Sequence, residues 1–243
     1  MEPTVVQKSS GLIGSEPEYV CQTTLDLYDS PALERLATQA IAGRQLRILA
    51  SSPPAPRAIA PAALRVCLCE DDYPGWIAAA MRAQLTVAEA SYRAVALSRE
   101  AIAARLPEVI AYTHRTMQQP NQYLWGGTVG PNYDCSGLMQ AAFLSAGIWL
   151  PRDAYQQAAF VQPVVLEALQ PGDLIFFGTA DRITHVGLYL GEGNYIHSSG
   201  KDIGRNGIGV DRLSGEGDRV SQAYYRQLRG AGRVMGSYQP VAR

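Results

Sequence analysis

Two apolar runs, THVGLYLG at 184–191 and NYIHSSG at 194–200, flank a glycine turn of Gly191, Glu192 and Gly193, and this pattern leaves a chain little choice but a β-hairpin. The chain holds only three histidines, and two of them, His185 and His197, sit in these runs. A two-residue loop pairs Gly191 with Asn194 and sends the histidines to opposite faces, because side chains alternate along a strand. A three-residue loop pairs Leu190 with Asn194, sets His197 opposite Gly187 and makes His185 its diagonal neighbour on the same face. Only the second register brings the two imidazoles within reach of each other.

A cysteine upstream gives those imidazoles something to act on. Leu138, Ala141, Ala142 and Leu144 recur near the helical period, Gly147 stands where a helix stops, and Asp134 is a good N-cap, which predicts a buried helix over 135–146. Cys135 then lies in the first turn, where the helix dipole and unpaired N–H groups favour thiolate over thiol and predict a low pKa. A free cysteine is also commonly a small packing residue, so nucleophile and core residue both remain open on local grounds. Paired with the hairpin, the chemistry is thiol catalysis: His185 accepts the thiol proton and His197 orients His185. A zinc on Cys135, His185 and His197 is the alternative, but no second acidic or histidine pair supports it, so no metal and no cofactor is expected. His114, beside Arg115 on a helical face, reads as a surface or packing residue.

The rest of the chain supplies the frame. Short β-like runs at 19–30, 43–51, 63–71 and 75–79 are separated by turn formers and predict a small barrel. The proline-rich stretch 51–61 reads as a surface loop inside this first domain, since β-type sequence continues beyond it. Residues 1–17 carry little pattern and are expected to fray, and 81–98 read as a connector. Ser98 caps a helical pattern that Pro107 should kink or split in two. WLPRDAYQQAAF reads as a loop and short helix, LIFF at 174–177 as a buried strand, and 207–213 and 232–238 as last strands. Cys67 and Cys69 point the same way from one strand and are read as buried. A formal net charge of −1 gives no electrostatic reason to expect nucleic acid or an anionic membrane as partner. The N-terminal residues lack a basic, then apolar, leader pattern, and no run of about 18 apolar residues occurs, so a cytoplasmic location with free thiols is expected.

YLWGG at 123–127, DCSG at 134–137, LPRDAYQQ at 150–157, PGDLIFF at 171–177, HVGLYLG at 185–191 and YIHSSG at 195–200 resemble, in order and spacing, the NlpC/P60 cysteine peptidases. The resemblance implies an α+β chain: an SH3-like β-barrel over 18–85, suggested also by LATQAIAG and DDYPGW, then a papain-like domain over 99–240 with the cysteine helix packed on an antiparallel sheet. By position it implies Cys135 as nucleophile, His185 as base, His197 as orienting group and Tyr123 lining the oxyanion site. The domain pair looks most like cyanobacterial γ-D-glutamyl-L-diamino acid endopeptidases. That likeness implies a substrate of the L-Ala-γ-D-Glu-diaminopimelate type, cut in cell-wall peptide recycling. It assigns Tyr73 and Asp134 to the free L-Ala ammonium and Ser136 to the D-Glu portion. Arg152 is a candidate for the diaminopimelate carboxylates. A murein amidase or acyltransferase on the same fold, or a non-catalytic wall-binding protein, is the competing reading.

Overall fold

The computed structural model describes residues 17–53 and 62–241, so the fraying expected of the first residues and most of the proline-rich stretch lie outside the described residues. The first unit is one antiparallel sheet of seven strands. Its members are β1 (Glu18–Cys21), β2 (Leu25–Tyr28), β3 (Leu36–Ala40), β4 (Gln45–Ser51), β5 (Ala63–Leu68), β6 (Pro74–Ala78) and β7 (Leu85–Val87), in the order β3-β2-β6-β5-β4-β1-β7. Alternation explains the burial. Leu25 and Leu27 on β2, Leu46 on β4, Val66 and Leu68 on β5 and Ile77 on β6 fill one apolar core. The proline-rich stretch joins two paired strands, β4 and β5. Residues 85–87, expected as connector, pair with β1 instead, with Tyr19 opposite Val87.

A helix, α1 (Arg99–Met117), opens the second unit, with the Ser98 hydroxyl accepting from Ala101 N at 3.2 Å. The helix runs through Pro107 without dividing, so the second helix that was one of the two expectations does not form. Proline removes one backbone donor, but Ile102, Leu106 and Val109 on either side are buried in the main core, and that packing holds the helix together. Next come α2 (Cys135–Ser145), α3 (Ala154–Phe160), β8 (Gln162–Val164), β9 (Leu174–Gly178), β10 (Ile183–Gly191), β11 (Asn194–Ser199), β12 (Gly207–Arg212), α4 (Arg219–Tyr225) and β13 (Leu228–Arg233). The six strands form a second antiparallel sheet, ordered β12-β11-β10-β9-β13-β8. The last strand lies at 228–233 rather than the expected 232–238. There Ala231, Gly232 and Arg233 pair with β8.

Strand β9 shows why LIFF has no polar alternation. Leu174 and Phe176 face the core that holds Leu138, Met139 and Phe143 of α2, while Ile175 and Phe177 face Val220 and Tyr224 of α4. A strand covered on both faces reads as an unbroken apolar run.

The hairpin β10–β11 combines both registers considered from sequence. At its tip Gly191 pairs with Asn194 across Glu192 (φ 52°) and Gly193 (φ 74°), a two-residue loop with both residues left-handed. A bulge between Tyr189 and Gly191 then shifts the body so that Leu188 meets Ile196. Continued toward the strand ends, this register sets His197 across from Gly187, where an added Cβ would lie 3.3 Å from the histidine's own Cβ.

Candidate active site

Helix α2 begins where the sequence places it. The Asp134 side chain accepts from Gly137 N at 2.7 Å and caps the helix, which fixes Cys135 as its first residue. Gly137 is required by a close approach: a Cβ there would fall 2.0 Å from the Gly127 carbonyl oxygen. The Cys135 sulfur lies 4.0 Å from the Thr184 carbonyl oxygen and also meets the Val186 backbone N–H, so the thiol rests against both chain neighbours of His185. His185 Nε2 and His197 Nδ1 are 2.7 Å apart, so the imidazoles share a face as the second register requires.

Burial sets the electrostatics. The Cys135 thiol is pushed up to about 12 by burial and by the Asp134 charge, against the opposing pull of the Val186 and Ser136 N–H groups and Arg152. The expected low thiol pKa is therefore reversed. A first-turn position supplies N–H groups, but a cysteine 6% exposed beside a carboxylate loses more to desolvation than it gains from them. Burial, then the neighbouring His197, holds His185 well below the usual imidazole range, and burial also lowers His197. Burial thus favours the uncharged form of both groups in the resting pair.

Sequence reasoning missed two groups. Asp211 on β12 lies 2.6 Å from His197 Nε2 and is bound by Arg205, whose Nε donates to the same oxygen at 2.9 Å. The available signal was alternation in GIGVDRL: Tyr195 pairs with Asp211 and His197 with Gly209, which puts Asp211 diagonal to His197 on one face. Tyr224 of α4 stacks on His185 with ring centres 4.3 Å apart, and no local pattern announced that helix.

The thiol opens into a cleft of about 510 Å³ between the two units, lined by Tyr73, Tyr123, Asp134, Cys135, Ser136, Asp153 and Arg182 among others. Tyr73, Asp134 and Ser136 thus border one space, yet their pairing differs from expectation. Asp134 is 7% exposed, and both its oxygens are engaged: Arg152 Nη2 donates at 2.6 Å, Nη1 at 3.1 Å, Gly126 N at 2.9 Å, and Ser136 Oγ at 3.3 Å, besides the helix cap. The carboxylate that borders the cleft is thus already held by donors of its own chain. The acid that faces the Tyr73 hydroxyl, at 3.3 and 3.4 Å, is Asp153. Arg152 is 1% exposed and spent on Asp134, Ser136 and Thr38, so it is not a receptor for outside carboxylates. His114 lies in the last turn of α1 and does not line the cleft. Among the described residues no group of three or more His, Cys, Asp or Glu side chains converges to hold a metal ion.

The two units also meet through polar contacts outside the lining of this cleft. Arg152 Nε donates to Thr38 at 2.9 Å, the Gln140 amide to Asp71 at 2.9 Å, and Thr128 exchanges hydrogen bonds with Gln39.

A thiol at the head of a helix, packed on an antiparallel sheet that carries a histidine pair, defines the papain-like α+β class. Within it, residues 120–227 match the NlpC/P60 family and residues 27–81 the bacterial dipeptidyl-peptidase Sh3 domain, so the chain carries an NlpC/P60 domain behind a bacterial SH3 domain. The γ-D-glutamyl-L-lysine dipeptidyl-peptidase of Bacillus subtilis is 45% identical over 86 residues, 33% of this chain and 29% of that protein. A probable endopeptidase of Mycobacterium tuberculosis is 46% identical over 78 residues, 32% of this chain and 20% of that protein. The matches thus span less than a third of either relative. An NlpC/P60 family protein from Bacillus cereus aligns structurally over 90% of this chain and 64% of its own, at 24% identity and a TM-score of 0.48.

Proposed function

We propose that the chain is a cysteine peptidase that hydrolyses the γ-D-glutamyl to diamino acid bond of murein peptides whose L-Ala amine is free. The observation that carries this is the Cys135 thiol held against both neighbours of a histidine that is itself bonded to a second histidine, at the floor of a cleft walled by the other unit. In this reading His185 takes the thiol proton as sulfur attacks the γ-carbonyl carbon, and the resulting imidazolium protonates the departing diamino acid nitrogen. Water then opens the thioester, with His185 as base. Tyr123 lines the same cleft beside the sulfur and is assigned to the developing oxyanion.

The free amine is assigned to Asp153 and Tyr73, a carboxylate and a hydroxyl that meet across the two units and both line the cleft. Burial raises the Asp153 carboxyl above the usual range, with Arg152 pulling the other way, and an arriving ammonium would favour its ionised form. Ser136 keeps its assignment to the D-Glu portion. A peptide-sized cleft closed on one side suits soluble stem peptides, and recycling of such peptides in the cytoplasm is the role this reading carries.

Incubation with L-Ala-γ-D-Glu-diaminopimelate and mass analysis of the products tests it. The wild type should release free diaminopimelate; Cys135→Ala should release none, His185→Ala nearly none, and His197→Ala a measurable remainder. Turnover by Cys135→Ala at the wild-type rate would end the reading.

A further inference from the structure

Beyond the thiol and its two histidines, the sheet carries a third link. His197 is fully buried, and both its ring nitrogens are engaged, Nδ1 with His185 and Nε2 with Asp211. One bond has an unambiguous direction. Asp211 is held ionised below the usual carboxylate range by His197 and Arg205 despite its burial, so it accepts and His197 Nε2 carries a proton. Whether Nδ1 carries a second proton depends on charge. Asp211 already has a cation in Arg205, so a charged His197 would be an uncompensated buried imidazolium, and burial keeps it neutral. The neutral ring has one N–H, at Nε2, and Nδ1 must accept. His185 then donates from Nε2, and its own Nδ1 is left bare.

We propose that Asp211, held by Arg205, is the positioning residue that fixes the tautomers of both histidines and thereby leaves His185 Nδ1 as the atom that takes the Cys135 proton. The inference rests on the peptidase reading for that last step, but the tautomers themselves do not depend on it. In the transfer the S–H bond breaks, the Nδ1–H bond forms, and the electron pair stays on sulfur. The new imidazolium keeps its Nε2–H on His197, with the Asp211 carboxylate one ring further away. Around this chain stand Tyr195 on β11, Phe177 on β9, Tyr224 and the α4 cap Asp218, Arg205 and Cys135; of these Arg205 and Asp218 carry the remaining charge, and Asp218 lies 3.8 Å from Arg205.

The arrangement separates a positioning role from a structural one, because an amide in place of the carboxylate keeps the size and loses the charge. Asp211→Asn can donate to His197 Nε2 through its amide N–H, which turns His197 over to the Nδ1–H form and forces the proton of His185 onto Nδ1, where it blocks the base. Ring ¹H–¹⁵N correlation spectra read the tautomers directly, and with three histidines in the chain the signals are few. In wild type both His185 and His197 should show the Nε2–H form; in Asp211→Asn the Nδ1–H form should appear in both. Hydrolysis of L-Ala-γ-D-Glu-diaminopimelate should fall about tenfold or more in Asp211→Asn. Its acid limb should move to lower pH, because a negative charge near His185 has gone, and Arg205→Gln should move that limb to higher pH, each by about half a unit or more. Opposite shifts are a charge signature that loosened packing does not produce. A wild-type spectrum with His185 protonated at Nδ1 overturns the proposal without any variant. So does Asp211→Asn with wild-type tautomers and an unmoved acid limb. If instead the tautomers are as stated and no peptide is cut, the peptidase reading has failed and the assignment of Asp211 to the tautomers stands.

Discussion

Arg152→Met tests the contact on which the geometry of the cleft depends. The guanidinium makes four hydrogen bonds: two to Asp134, one to Ser136 and one to Thr38 of the other unit. Burial alone would lower its pKa, and the Asp134 charge and hydrogen bonds more than offset that. Methionine fills the space of the arginine stem, so little cavity is added and the loss is electrostatic. Asp134 would keep its bonds from Gly126 N and Gly137 N but lose its cation, and breaking a buried pair from one side costs roughly 3–5 kcal/mol. At roughly 2–4 °C per kcal/mol for a chain of this size, the thermal midpoint should fall by roughly 6–20 °C. Differential scanning calorimetry at pH 7 reads the shift. The double variant Arg152→Met with Asp134→Asn should recover most of it, because asparagine still caps the helix and no unpaired charge remains. A midpoint within about 2 °C of wild type in the single variant, or a double variant no more stable than the single, would refute the reasoning.

Acetylating the L-Ala amine of the tripeptide should lower kcat/KM more than tenfold in wild type, since a charge partner of Asp153 is removed, while Asp153→Asn should process both peptides at similar rates; unequal rates in that variant would place the receptor elsewhere. Tyr73→Phe should lose about 0.5–1.5 kcal/mol of transition-state binding on the free-amine peptide, read from the same kinetics. Because burial depresses the His185 pKa, the unfolded chain takes up its proton near 6.5 before the folded one does, so stability is full above that pH and falls below it by about 1.4 kcal/mol per unit. Urea midpoints should show this as a difference from His185→Gln, since Glu70 and Asp153, whose pKa values burial raises, tilt the curve the other way; parallel curves would contradict it. Gly137→Ala should abolish or severely reduce folded yield, because its Cβ meets backbone rather than a flexible side chain, and a variant with wild-type stability would show that the Gly127 segment moves freely.

What could be read ahead of the structure was local. The cysteine helix was legible because its cap, its apolar period and its glycine stop lie within fourteen residues, and all three hold: Asp134 caps, Leu138 and Ala142 are buried, and Gly147 takes a positive φ of 72°. The hairpin was legible as a hairpin, but its register turned on a one-residue bulge that no residue type signals. Quantities set by several distant segments were out of reach. The thiol pKa is set by burial beneath β10, and the real partner of Tyr73 sits 80 positions away. Asp134 looked free because sequence shows a carboxylate beside a cysteine, not the arginine 18 residues later that fills it. Of the two strands expected near the C-terminus, the one at 232–238 slipped because Gly230 and Gly232 weaken any β pattern, and pairing with β9 and β8 decides the matter.

The bond from Arg152 to Thr38 also has a direction in time. Synthesis runs from N- to C-terminus, so the seven strands of the first sheet, closed by Val87, leave the ribosome while the cysteine helix is still unmade. Thr38 and Asp71, the acceptors that Arg152 and Gln140 require, are therefore already set in a folded surface when their donors emerge. The helix bearing Cys135 is assembled against a finished template, and its thiol is enclosed by the neighbouring unit from the moment it forms. A nascent chain in which the first sheet misfolds would leave those buried donors unsatisfied, so a defect in the first unit is passed on to the second as a failure to mature.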